Sequence, residues 1–141
     1  MTLIVLDNSV SMAWCFEGQR TTYSTAVLQA LRDGCAVVPS LWFLEVANVT
    51  ALAEQKGVLS AADRTRFLQL LSVLRKQVDD AAPERIWGDV YDLAMRHKLT
   101  SYDACYLELA RRTNLPLASE DRALNAAAKK AGVAMFQASK G

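Results

Sequence analysis

The run Leu3-Ile4-Val5-Leu6 stops on an acid, Asp7, and this juncture constrains the chain more than any other stretch. Four consecutive apolar residues with no polar alternation read as a strand buried on both faces, as in a parallel sheet. The segments that follow alternate between short runs of this kind and helical patterns. Residues 9–16 and 21–33 read as helices, with Gly34 in a C′ position. Ala36 to Val38 form a second strand, ended by Pro39. Residues 41–56 form a helix whose apolar face carries Leu44, Ala47, Ala51 and Leu52, with Gly57 behind it. Ser60 caps a helix reaching Lys76, and Gln77 to Asp80 form a brief strand. Pro83 opens a helix that runs to His97, and Thr100 or Ser101 caps another ending near Thr113. Leu115 to Ala118 is a strand, residues 120–131 a helix closed by Gly132, and Val133 to Phe136 a last strand. This order predicts one α/β domain over residues 1–141, with a mainly parallel sheet and helices on both faces. In such sheets a ligand site lies beyond the carboxyl ends of the strands.

Four separated acids fall at or near those ends. Asp7 closes the first strand, Glu45 lies in the first turns of the helix after the second, and Asp103 and Asp121 follow Thr100-Ser101-Tyr102 and Leu117-Ala118-Ser119-Glu120. Each has a structural alternative. Asp7, with Asn8 and Ser9, could only cap a helix; Asp103 could complement the helix start at Thr100; Asp121 could do the same behind Ser119. Glu120 competes with Asp121 for the fourth place. Glu45 is harder to explain structurally, because Leu41-Trp42-Phe43-Leu44 precede it and Val46-Ala47 follow. Asn48, three residues on, shares its helix face.

If the acids converge, they repel one another unless protons or cations share the site. Hard divalent ions such as Mg²⁺ take oxygen ligands and keep several waters, so a few carboxylates and a substrate phosphate complete the shell. Ser9, Asn48 and Ser119 would then orient the carboxylates from behind. The rest of the chain points away from other chemistries. His97 is the sole histidine, which argues against a Cys/His zinc site and a serine triad, and no glycine-rich phosphate loop is present.

Composition adds context. A hydrophobic share of 52% argues against disorder, and 141 residues suffice for one core. No apolar stretch is long enough to span a bilayer, and Asp7 interrupts the N-terminal run, so no signal peptide and no membrane partner are expected. Cys15, Cys35 and Cys105 are odd in number and unpaired in spacing, as in the reduced thiols of a cytoplasmic protein. Residues 1–95 carry 8 basic and 11 acidic side chains, whereas residues 96–141 carry 8 and 4. Arg96, Lys98, Arg111, Arg112, Arg122, Lys129 and Lys130 could therefore form a phosphate-facing rim, or simply a solvated surface. Trp14, Trp42, Trp87, Phe43 and Phe67 read as core or interface rather than base-stacking residues, and His97 as a surface residue.

Val5-Leu6-Asp7-Asn8-Ser9, the block from Val38 to Asn48, Leu99-Thr100-Ser101-Tyr102-Asp103-Ala104 and the block from Leu117 to Leu124 together resemble the PIN-domain family. More narrowly, they resemble the VapC-type toxins of bacterial toxin–antitoxin pairs. The resemblance covers nearly the whole chain. Asn8 and Ser119 depart from the residues usual there, and neither removes a proposed ligand. The resemblance implies a three-layer α/β/α sandwich around a parallel sheet and a Mg²⁺- or Mn²⁺-dependent endoribonuclease. It implies Asp7 and Asp103 as principal metal ligands, with Glu45 and Asp121 completing the site directly or through water. It also implies an RNA substrate, a homodimer and a small cognate antitoxin, for which the helices around Trp42-Phe43 and after Ser60 offer contact surfaces. Two other classes compete: a catalytically silent PIN-like scaffold that binds RNA or a protein, and a receiver-type phosphoryl-transfer domain using Asp7. The second leaves Glu45 unexplained and lacks a lysine after a late strand.

Overall fold

Parallel pairing sets the architecture. In the computed structural model, which describes residues 1–138, β1 (Leu3–Leu6) pairs with β2 (Cys35–Pro39) on one side and β4 (Leu117–Ala118) on the other. β3 (Lys76–Asp79) pairs outside β2, so the order is β3-β2-β1-β4 with every pairing parallel. The central strand explains its own sequence: Ile4, Val5 and Leu6 have no exposed surface, so both faces must be apolar. Helices supply the crossovers: α1 (Asn8–Cys15) and α2 (Thr22–Leu31), then α3 (Leu41–Gln55) and α4 (Ala61–Val73). Next come α5 (Pro83–Arg85), a π-helical segment (Ile86–Val90), α6 (Tyr91–His97) and α7 (Ser101–Thr113), and finally α8 (Arg122–Lys130). No helix among the described residues is long and apolar enough to cross a membrane.

Local chemistry accounts for several boundaries. The Ser60 and Thr100 hydroxyls accept the backbone N–H of Asp63 and Asp103 at 3.0 and 3.1 Å, capping α4 and α7. Gly57 and Gly132 close α3 and α8 with φ of +74° and +77°, a conformation that costs glycine little. The indole N–H groups of Trp14 and Trp42, both buried, donate to Ser24 O at 2.7 Å and Ser11 Oγ at 2.9 Å, which fixes α1 against α2 and α3.

The structure departs from the sequence expectations in identifiable ways. The buried face of α3 is Trp42-Val46-Thr50, not the face carrying Leu44, which is 69% exposed. The Trp42 indole, with Ser11 as its partner, sets that helix's rotation. The helix expected from Pro83 to His97 is interrupted by the π-helical turn, which leaves Val90 fully buried and Trp87 82% exposed, so Trp87 is no core residue. Phe43 is also exposed. The final strand shrinks to one bridge between Leu117 and Met135, because β4 itself is only two residues long and offers a single partner. Gly34 does not take the positive φ of a C′ residue. Its requirement is space: a Cβ there would lie 2.6 Å from Thr2 O and 2.8 Å from Ala30 O.

Gly34→Ala should therefore destabilise the fold by about 1–3 kcal/mol, since the blocking atoms are backbone and cannot swing aside. Urea unfolding checks this; an unchanged midpoint would show that the approach of β1 to the end of α2 is looser than described.

Candidate active site

The chain leaves β1 toward β2 on one side, while β4 arrives on the other. The carboxyl ends of β1 and β4 thus flank the point where strand order reverses, the place where open parallel sheets form a crevice. Asp7 emerges from β1 there, with its N–H donating to Ala118 O at 3.0 Å. Ser119 emerges from β4 beside it. Both are buried, at 4% and 3% exposure. Ser119 Oγ donates to Asp7 Oδ2 at 2.9 Å and Ser9 Oγ to the same oxygen at 2.6 Å, with a longer contact from Ser9 N at 3.4 Å. Among the described residues no side chain donates to Oδ1. Burial pushes the Asp7 carboxyl up, and the two serine hydroxyls oppose that shift.

The other predicted acids gather around this point. Asp121 caps α8, accepting Leu124 N at 2.8 Å, while its own N–H donates to Ser119 Oγ at 3.0 Å. Its capping role fixes it in place without taking it away from the acids. Asp103 sits in the first turn of α7, and its carboxylate accepts no hydrogen bond among the described residues. Its pKa is pushed up to about 6, first by burial and then by the negative charges of Asp121, Asp7 and Glu45. That dependence ties all four side chains to one neighbourhood. Glu120 points elsewhere: its carboxylate takes the Thr21 hydroxyl at the start of α2, and its backbone N–H donates to Ser9 Oγ at 2.9 Å.

Glu45 has a partner that sequence reading missed. The Tyr106 hydroxyl, on a fully buried ring in α7, donates to Glu45 Oε1 across 61 positions of sequence. Burial raises the Glu45 pKa, the Tyr106 hydrogen bond lowers it, and the Asp7 charge raises it again. Burial and the carboxylate also hold the phenol far above its ordinary pKa, so it stays protonated and donates. The spacing of Asp103 and Tyr106, three apart on one helix face, was the available signal. Asn48, expected to help Glu45, is exposed and makes no hydrogen bond among the described residues.

The donor set suits a hard divalent cation: carboxylate oxygens only, two of them on groups whose protonation is already favoured by their neighbours. Asp7 Oδ1 and the unpartnered Asp103 carboxylate are the free oxygens best prepared to face one. Among the described residues no three Asp, Glu, His or Cys side chains are drawn tightly enough to grip an ion.

Two further features frame the site. Arg112 does not join a basic rim: its Nε lies 2.7 Å from buried Glu108 and its Nη2 2.7 Å from Asp79, at the opposite end of α7 from Asp103. Between α3 and α4 runs an apolar groove lined by Trp42, Phe43, Val46, Ala47, Leu68 and Leu71, apart from the acids, with the Arg64–Glu54 ion pair on its rim.

The fold and this acidic crevice define a class, and the sequence agrees with it. The PIN domain profile matches residues 4–130, so the chain belongs to the PIN domain family, whose members are generally nucleases that hydrolyse phosphodiester bonds. Solved structures share the fold. PAE2754 of Pyrobaculum aerophilum superposes with a TM-score of 0.67 at 22% identity, covering 89% of this chain and 84% of its own. VapBC2 of Rickettsia felis, bound to a DNA fragment from its promoter, gives 0.65 at 11% identity, covering 96% and 98%. FitAcB of Neisseria gonorrhoeae gives 0.55 at 21% identity, covering 95% and 96%. No curated protein sequence matches the chain.

Two predictions arise from these carboxyl groups. The folded-state pKa of Asp103 lies above its ordinary value of 3.8, so its charged form opposes folding. That residue's contribution is intact below about pH 4 and is lost as pH rises through about 6. In chelator, Asp103→Asn should raise the melting temperature at pH 8 and leave it nearly unchanged at pH 4; equal shifts at both would contradict the coupling. Tyr106→Phe removes a donor from the Glu45 carboxylate, so the Glu45 pKa, read by carboxyl ¹³C NMR, should rise further. A pKa that stays put would mean the hydrogen bond is not formed in solution.

Proposed function

We propose that the protein is a Mg²⁺- or Mn²⁺-dependent endoribonuclease acting as the toxin of a toxin–antitoxin pair. The observation that carries this reading is the shared field of Asp7, Glu45, Asp103 and Asp121 at the reversal of strand order in a PIN-family chain. Asp7 and Asp103 would hold the ion directly, with Glu45 and Asp121 binding directly or through water. When bound, a divalent ion polarises the phosphoryl oxygen, lowers the pKa of an attacking water and stabilises the leaving oxygen. The chain's own work is placement. Ser9 and Ser119 anchor Asp7 through Oδ2, which takes no donor away from Oδ1. Tyr106 donates to Glu45 Oε1, which favours the charged form against the effect of burial and ties the side chain to α7. The helix caps at Thr100 and Asp121 fix the two remaining acids.

The likeness to VapBC2 and FitAcB, which are toxin–antitoxin complexes, together with the VapC-like motifs, supports a small antitoxin as the natural inhibitor. We assign its contact to the apolar groove between α3 and α4, whose exposed Phe43 and Leu68 suit an apolar segment. A homodimer, a cytoplasmic location and an RNA substrate belong to the same reading.

RNA cleavage by the purified, antitoxin-free protein is the test. Activity should appear with Mg²⁺ or Mn²⁺, vanish in chelator, and fall on the order of a hundredfold or more in Asp7→Asn and Asp103→Asn. Ser119→Ala should lose roughly 10- to 100-fold, as expected for a group that orients a ligand. Cleavage that survives chelation would exclude the mechanism, and RNA binding without turnover under any divalent ion would mark a silent scaffold. Saturating Mg²⁺ should also raise the melting temperature of the wild type more than that of Asp7→Asn, because only a ligand bound to the folded state stabilises it.

A further inference from the structure

Outside the acidic crevice, one surface gathers positive charge with no Asp or Glu lining it among the described residues. Arg96 and His97 end α6, Lys98 follows them, and Lys130 ends α8; together they line a groove floored by Ala123, Ala126 and Ala127. Arg96, Lys98 and Lys130 are exposed, and none forms an ion pair among the described residues. Lys98 is also one of only two non-glycine residues with positive φ among the described residues, at 55°.

The position of the groove matters as much as its charge. It runs along α8, the helix capped by Asp121, and its near end at Ala123 lies within one turn of that acid. From Ala123 to Lys130 the helix rises about 10 Å, at 1.5 Å per residue. A chain of negative charges leaving the crevice along α8 would meet these cations in succession. The alanine floor lets a backbone lie close but offers no deep apolar pocket of the kind that anchors a protein partner.

We propose that this groove is a phosphodiester-backbone site that holds single-stranded RNA to one side of the cut. The inference rests on the reading of the crevice as a ribonuclease site. Its chemistry is electrostatic and indifferent to base sequence, so its signature is affinity and salt dependence, not turnover.

The test uses the full chain in chelator, where RNA is bound and not cut, with a short fluorescein-labelled single-stranded RNA as probe. The variant Arg96→Gln/Lys98→Asn/Lys130→Gln removes the three cations; asparagine tolerates the left-handed backbone at position 98. A control, Arg32→Gln/Lys56→Gln/Arg75→Gln, removes the same charge elsewhere, at exposed positions outside the groove. The groove variant should bind on the order of tenfold more weakly than the control, and its slope of log affinity against log salt should be shallower by roughly two. With Mn²⁺ and saturating RNA its kcat should match the wild type while KM rises. Equal affinity and slope for the two variants would overturn the proposal. So would loss of binding to a short polyglutamate peptide with RNA binding intact, which would reassign the groove to an acidic protein segment. If the groove variant loses RNA affinity but the wild type never cuts RNA under any metal, the groove stands and the nuclease reading falls.

Discussion

The Ser119 hydroxyl on the Asp7 carboxylate joins the ends of two parallel strands, and the rest of the site is arranged around that contact. It exists because β1 and β4 are neighbours in space while 112 positions apart in sequence. Three consecutive buried residues, Ile4 to Leu6, deliver Asp7 to the crevice, and a two-residue strand delivers Ser119. Neither strand has much freedom. The register that pairs Leu6 with Ala118 brings the next residue on each strand side by side. A one-residue slip would turn the β1 side chains to the opposite face of the sheet. The acid is therefore held by the same pairing that builds the core.

Charge makes this arrangement costly in isolation. Asp7 is nearly sealed from solvent and Asp103 feels three other carboxylates, so both are biased toward the protonated form. Among the described residues no lysine or arginine relieves this: the ion pairs of Glu108–Arg112–Asp79 and Glu54–Arg64 lie elsewhere. What it supplies instead are neutral donors, the hydroxyls of Ser9, Ser119 and Tyr106. Such donors orient a carboxylate while leaving its negative charge available to a cation. A site built for structure alone would more economically use apolar residues or a salt bridge.

Much of this was legible in the chain. The unbroken apolar run before Asp7 announced a buried parallel strand; the caps at Ser60 and Thr100 located helices because each hydroxyl accepts a backbone N–H, and Pro83 did so because it lacks the N–H that the first helical position leaves unpaired. The acids stood out because Glu45 interrupts an apolar helix and the other three follow strands or open helices. What the sequence could not convey was rotation and long-range pairing. The α3 face was misjudged because Leu44 and Trp42 are both apolar, and only the Ser11 partner of the indole decides between them. Tyr106 was missed because its role depends on Glu45, 61 positions away. Asn48 sat at the right spacing, yet the helix rotation leaves it in solvent. The choice between Glu120 and Asp121 turned on Thr21, which holds Glu120 away from the other acids.

The central claim is that these carboxylates share a doubly charged ion, and proton counting tests it most directly. Isothermal titration calorimetry with Mn²⁺ in buffers of different ionisation enthalpy gives the number of protons released on binding. Near pH 6, where Asp103 is about half protonated, binding should expel a measurable fraction of a proton, and at pH 8 the release should fall toward zero. Saturable binding with no proton release at either pH, or no binding at all, would contradict the account.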